Sequence, residues 1–230
     1  MRGLDGHATA LRAYVPAVGG DAPRPLLVMF DGQNVFEDHG SFAGGWHAHL
    51  AVERLHPSTI AAPVVLGIAN GGVRRVTELG PRVHAFLEGV VAVAVRRAES
   101  ALPLSGRRAI AGSSLGGLAA LVAWTSRRDL FEHAIAMSPS LWFERGHLSR
   151  ALRAGLIAPP PTGRLYLDAG ARERGRMFAD AELLAEALEG QGLGPERLMW
   201  RPDQRGAHHE RHWRRRLPKA LRFVFRVKGG

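Results

Sequence analysis

Residues 109–124 read AIAGSSLGGLAALVAW, so that glycines at 112, 116 and 117 surround a pair of serines between an apolar run and a strong helix former. Glycines two residues before and two residues after Ser114 permit a very tight strand-to-helix turn, which lifts one hydroxyl clear of the backbone. Such a hydroxyl is a candidate nucleophile. It is weak until a base takes its proton and a third group orients the base. A glycine-rich loop before a helix has the same local pattern, so the partners must be found elsewhere in the chain. On a parallel α/β scaffold they are expected in the order serine, acid, histidine. Downstream of Ser114 the acids at a strand end are Asp168 and Glu173, in YLDAGARE, and the histidines are His208, His209 and His212, in RGAHHERHW.

The elements that would position these groups are visible as short β-branched apolar runs alternating with longer helical stretches. Strands are predicted at 9–15, 25–30, 63–69, 107–112, 133–138, 164–169 and 197–202. Helices are predicted at 46–56, 82–100, 115–127, 176–190 and 210–222. Alternation of this kind with near-continuously apolar strands implies an α/β fold, a mainly parallel central sheet with helices on both faces, whose sites lie at the carboxyl ends of the strands. IAPPPTG, at 157–163, reads as a surface loop directly before a core strand, and residues 1–230 are expected to form one domain.

Composition removes several alternatives. The chain has no cysteine, which excludes disulfides, thiolate metal sites and a cysteine nucleophile. No apolar stretch approaches the roughly 18 residues of a membrane span, and MRGLDGHATA lacks the apolar segment of a signal peptide, so the expected location is the cytoplasm. The net charge of +10 invites a polyanionic partner. However, lysine occurs only at 219 and 228, the basic residues are spread along the chain apart from RHWRRRLPKALRFVFRVK at its end, and no basic strand is interleaved with aromatics. Nucleic acid is therefore not expected as a partner. His208 and His212 stand four apart, but the metalloprotease pattern needs glutamate directly after the first histidine and His209 occupies that place, so no metal is expected.

MFDGQNVF, GIANGGVRRVTEL, GSSLGG, SPSLWF, YLDAGARE and GAHHERHW occur in this order, and together they resemble the esterase family of α/β-hydrolases related to esterase D and enterochelin esterase. The resemblance runs from about residue 10 to the end of the sequence. It implies an α/β-hydrolase fold and cleavage of carboxylic esters through a Ser-His-acid triad without a cofactor, the partner being a small-molecule ester. On that resemblance Ser114 is the nucleophile and Ser113 a structural neighbour. Counting back five from Trp213 selects His208 as base over His209. The family's acid follows a post-strand glycine by three positions, which from Gly170 points to Glu173, with Asp168 left as a strand-end residue that holds a turn.

An acyl-transfer transition state needs two N–H donors at the former carbonyl oxygen. Leu115, after the nucleophile at a helix start, supplies one, and Gln33 in the DGQN turn is expected to supply the other. Arg74 and Arg75, in NGGVRRVTEL, reach the same rim, where they either hold an acidic or phenolic substrate or pair with Glu78. Trp46 and Trp142 resemble family positions that wall the substrate pocket. Ser138 and Ser140 lack flanking glycines and are not rival nucleophiles. The competing readings are an acyltransferase with the same triad, a siderophore (catecholate) esterase, and a non-catalytic binding protein on a hydrolase scaffold.

Overall fold

The apolar runs of the sequence become the strands of one seven-stranded sheet, in the order β1-β3-β2-β4-β5-β6-β7. The computed structural model describes residues 1–17, 22–41, 43–55 and 61–226. The strands are β1 (Leu11–Tyr14), β2 (Arg24–Phe30), β3 (Val64–Ile68), β4 (Leu104–Ser113), β5 (His133–Met137), β6 (Leu165–Gly170) and β7 (Leu198–Asp203). β1 runs antiparallel to β3 at one edge, and every other pairing is parallel. β2, β3, β5 and β6 are buried at every position, as strands covered on both faces must be.

Successive side chains alternate between two cores. Leu26, Val28, Phe30, Ile110, Ala134 and Leu167 face one side, where α4 (Ala92–Ala101), α5 (Leu115–Ser126) and α7 (Met177–Gly190) cover them. Leu27, Met29, Ala109, Ala111, Ile135 and Tyr166 face the other, under α1 (Ala48–Leu55) and α8 (Glu210–Phe225). α8 is strongly amphipathic. Trp213, Leu217, Ala220, Leu221 and Val224 recur at helical spacing on its buried face, and Arg216 shares that face.

The remaining helices are α2 (Arg75–Leu79), α3 (Val83–Phe86) and α6 (Phe143–Arg153), with a π-helical turn at Leu87–Val91 between α3 and α4. Neither α2 nor α6 is predicted by the sequence. α6 opens on Glu144, Arg145 and Gly146 in left-handed conformation, which interrupts its helical pattern where a start signal would stand. Among the described residues, no helix is long and apolar enough to cross a membrane.

Candidate active site

β4 ends at Ser113 and α5 begins at Leu115, which leaves Ser114 at the corner with φ 57° and ψ −124°. This is a sparsely populated region for a residue with a side chain and costs about 1–3 kcal/mol. Bonds on both sides hold it: the Ser114 N–H donates to the Met137 carbonyl at 3.0 Å and the Ser140 N–H donates to the Ser114 carbonyl at 3.0 Å. Two glycines make the corner possible. A Cβ on Gly112 would strike the Gly116 carbonyl, and one on Gly116 would press on Phe30 and Asp31. The Ser114 Oγ lies 3.2 Å from the Ser140 Oγ.

Glu173 stands three residues past the end of β6, in a turn closed by its own N–H on the Gly170 carbonyl at 3.1 Å. Its side chain is fully covered, and its Oε2 lies 3.2 Å from the His208 Nδ1. Its Oε1 accepts from the Ser138 hydroxyl at 2.5 Å and from the Gly170 N–H at 2.9 Å. Burial pushes the Glu173 pKa up, but the hydrogen bonds with His208, Ser138 and Gly170 outweigh it and hold the carboxyl below its ordinary value. The His208 ring stands edge-on to Trp213, with centroids 4.9 Å apart and planes at 88°.

The rival residues occupy other places. His209 is the N-cap of α8, its Nδ1 accepting from the Arg211 N–H at 3.2 Å, and His212 accepts from Arg211. Asp168 is fully buried on the α8 side of the sheet. Its carboxylate lies 2.9 Å from the Arg216 Nε and accepts from the Ser138 N–H at 3.1 Å, so it fastens the end of β5 rather than its own turn. Burial raises its pKa to about 6 against the opposing pull of Arg216.

Ser114 and His208 open on a cleft of about 570 Å³, shared with Gln33, Asn70, Arg75 and Glu210. The Gln33 Oε1 accepts from the Asn70 N–H at 3.4 Å. Arg75 lies on the cleft wall, but neither arginine pairs with Glu78, contrary to one of the two expectations for them. Glu78 instead accepts from the Gly71 N–H at 2.9 Å, and its other oxygen lies 3.0 Å from the His7 Nε2. Arg75 instead grips Asp31 with two bonds of 2.7 Å, and Arg74 is exposed outside the cleft lining. Nor do the two tryptophans wall the cleft. Trp46 is buried one layer behind, its ring 6.0 Å from Trp213, and Trp142 is 58% exposed beside Phe143. Their bulk goes to packing in one case and to solvent in the other.

Ser138, Ser140, Asp31, Asn70, Glu210 and Arg216 carry much of the site's polar framework and are not singled out as such by the sequence. Only Arg216 has a readable signal: it follows Trp213 by three and precedes Leu217, which places a charged residue on an apolar helical face. Among the described residues, no group of three histidine or acidic side chains is arranged to hold a metal ion.

The chain matches the family described as "Putative esterase" over residues 6–224. It belongs to that family. It is 28% identical over 189 residues to the iron(III) salmochelin esterase of Escherichia coli O6:H1 (strain CFT073), covering 75% of this chain and 45% of that protein. Among solved structures, the BES protein from Bacillus cereus has a TM-score of 0.79 at 19% identity, covering 99% of this chain and 94% of the other. The enterobactin esterase FES from Shigella flexneri, in the presence of 2,3-di-hydroxy-N-benzoyl-serine, has a TM-score of 0.72 at 24% identity, covering 94% of this chain and 54% of the other. The chain thus spans about half the length of the salmochelin and enterobactin esterases it matches, and it shares the α/β-hydrolase fold with these structures.

Proposed function

We propose that this chain hydrolyses carboxylic esters, with Ser114 as nucleophile, His208 as general base and then acid, and Glu173 as the group that orients His208. The observation that carries the reading is the 3.2 Å contact between Glu173 and His208 Nδ1 in the cleft that also holds the strained Ser114 corner. Glu173 fixes the proton on Nδ1, which leaves Nε2 to accept the Ser114 proton as Oγ attacks the ester carbonyl carbon. The negative charge then sits on the former carbonyl oxygen, where the Leu115 N–H at the start of α5 and the Gln33 N–H are the assigned donors. Collapse breaks the bond to the alcohol oxygen, which takes the proton from Nε2. The resulting acyl-enzyme is hydrolysed by a water that His208 deprotonates in turn.

The cleft sets Asp31 and Glu210 against a single guanidinium, and Asp31 already engages Arg75. Its own charge therefore favours a neutral or phenolic ester over a multiply anionic one. A second reading, cleavage of a catecholate siderophore ester, is favoured by the names of the relatives above and would place a phenolic ring in the same cleft.

The decisive measurement combines fluorophosphonate labelling with mass spectrometry. One adduct on the peptide carrying Ser114, absent from Ser114→Ala, is the expected result, and full labelling of that variant would refute the assignment. p-Nitrophenyl esters of increasing acyl length, run beside feruloyl and catecholate esters, then separate the two substrate readings.

A further inference from the structure

Ser138, discounted as a nucleophile, makes three polar contacts through one hydroxyl. Its Oγ is 2.5 Å from Glu173 Oε1, 2.9 Å from Trp213 Nε1 and 2.9 Å from an Arg216 terminal nitrogen. A hydroxyl owns one proton and can accept two, whereas indole and guanidinium nitrogens only donate. Trp213 and Arg216 therefore take both acceptor positions, and the single proton has one place left to go. It must point at Glu173. The backbone is bent to achieve this: Ser138 sits at φ 43°, a left-handed conformation that costs a residue with a side chain about 1–2 kcal/mol.

The same helix supplies both donors. Trp213 and Arg216 are three apart on the buried face of α8, and His208 lies just before that helix. Arg216 is itself fixed from other sides, by Asp168 at 2.9 Å and Asp203 at 3.2 Å, and its terminal nitrogen also faces Glu173 Oε1 at 3.9 Å. We propose that Ser138, locked as a one-way donor by Trp213 and Arg216, is the positioning residue for Glu173: with the Gly170 N–H it occupies Oε1, so that Oε2 alone faces His208. The inference rests on the assignment of Glu173 and His208 given above.

Two consequences follow from the lock. Removing the hydroxyl withdraws a donor from the ionised carboxylate, which makes Glu173 easier to protonate and a stronger partner for imidazolium. Both effects move the acid limb of the pH profile upward. In addition, an amide at 173 cannot choose its orientation. Its oxygen must meet Ser138 and Gly170, its NH2 must face His208 Nδ1, and the imidazole is driven into the tautomer whose Nε2 carries the proton and cannot act as base.

The test compares Ser138→Gly, which tolerates the positive φ, with wild type, using kcat per fluorophosphonate-titrated site so that misfolded protein does not count. The expected result is a fall in kcat of about tenfold or more with KM within about twofold, and an acid limb of kcat/KM raised by about half a pH unit or more. An unshifted acid limb with kcat within about twofold of wild type overturns the proposal. Should Ser138→Gly fail to fold, Glu173→Gln and Glu173→Ala decide: the lock requires kcat of the glutamine variant to fall below that of the alanine variant, and the reverse order overturns it. Ser114→Ala is run alongside. If that variant keeps its activity, the triad assignment itself has failed, whereas an inactive Ser114→Ala with an unaffected Ser138→Gly removes only the role of Ser138.

Discussion

Two arginine–aspartate pairs belong to the candidate site, and they differ chiefly in their access to water. Arg75 and Asp31 meet on the cleft wall, with side chains 28% and 10% exposed, while Arg216 and Asp168 meet beneath the site at 5% and 0%. The outer pair shares two bonds of 2.7 Å and receives a third group, the Asn70 amide, at 2.6 Å. It presents a finished polar surface to whatever enters the cleft. The inner pair presents nothing to a ligand. It instead ties three segments together, because Arg216 also reaches Asp203 and the Ser138 hydroxyl, and Asp168 also holds the Ser138 N–H. The same two side chains thus line a cleft where water reaches them and tie strand ends together where it does not.

Arg216→Met is expected to have the largest effect on stability. That change leaves Asp168 and Glu173 without the cation they share, and breaking a buried pair on one side costs about 3–5 kcal/mol. Urea unfolding is expected to show that loss, and a loss under about 1 kcal/mol would mean that the inner pair behaves like an exposed one.

Asp168→Asn tests the other half of the inner pair, and its sign depends on pH. Asp168 titrates near 6 in the folded protein against 3.8 as the ordinary value, so the folded state binds that proton more tightly than the unfolded chain. Its contribution to stability is therefore fullest at low pH and declines as pH rises from about 4 to about 6, by up to about 3 kcal/mol. The asparagine cannot ionise. Its melting temperature relative to wild type is expected to improve between pH 4.5 and pH 7.5, and a worsening over that range would show that Arg216 more than offsets the burial of the charge.

The smallest effect on stability is expected at the outer pair. Arg75→Met should cost less than Arg216→Met, since Asp31 keeps the Asn70 amide at 2.6 Å and a share of the cleft's water. It should instead appear in kinetics as a several-fold rise in KM with kcat little changed. A stability loss as large as that of Arg216→Met would erase the distinction between the two pairs.

Much of this architecture is legible in the sequence, for a physical reason. Parallel strands covered on both faces must be apolar at every position, so β2, β3, β5 and β6 appear as uninterrupted runs. The first half of β4, LSGRR, is partly exposed and polar, and the predicted strand accordingly starts at 107 rather than at Leu104. α2 and α6 escape notice because one is a single short turn after glycines and the other begins with left-handed residues. Within the candidate site, Ser114, Glu173 and His208 are selected by motif and offset, and the structure brings Glu173 rather than Asp168 within 3.2 Å of His208. The framework around them is not found in this way. Three consecutive arginines, 214 to 216, look alike as letters, and only the phase of α8 separates the buried one from its neighbours. Trp46 and Trp142 show the converse error, since large aromatics suit a pocket wall, a core layer and an exposed edge equally well in a one-dimensional reading.

The placement of His208, Trp213 and Arg216 along one stretch of chain also bears on the order in which the molecule becomes competent. The corner at Ser114 is built from β4, α5 and the end of β5, all of which precede α8 in the chain. During synthesis those segments emerge first, carrying the proposed nucleophile with no imidazole beside it. Only the docking of α8 against the far side of the sheet brings the imidazole, the indole and the guanidinium into register at once. By the same logic, a transient detachment of that helix in the finished protein silences the site while leaving most of the sheet intact. On the proposed assignment, ester turnover is thus a local probe of α8, able to fade under mild denaturation before the protein as a whole comes apart.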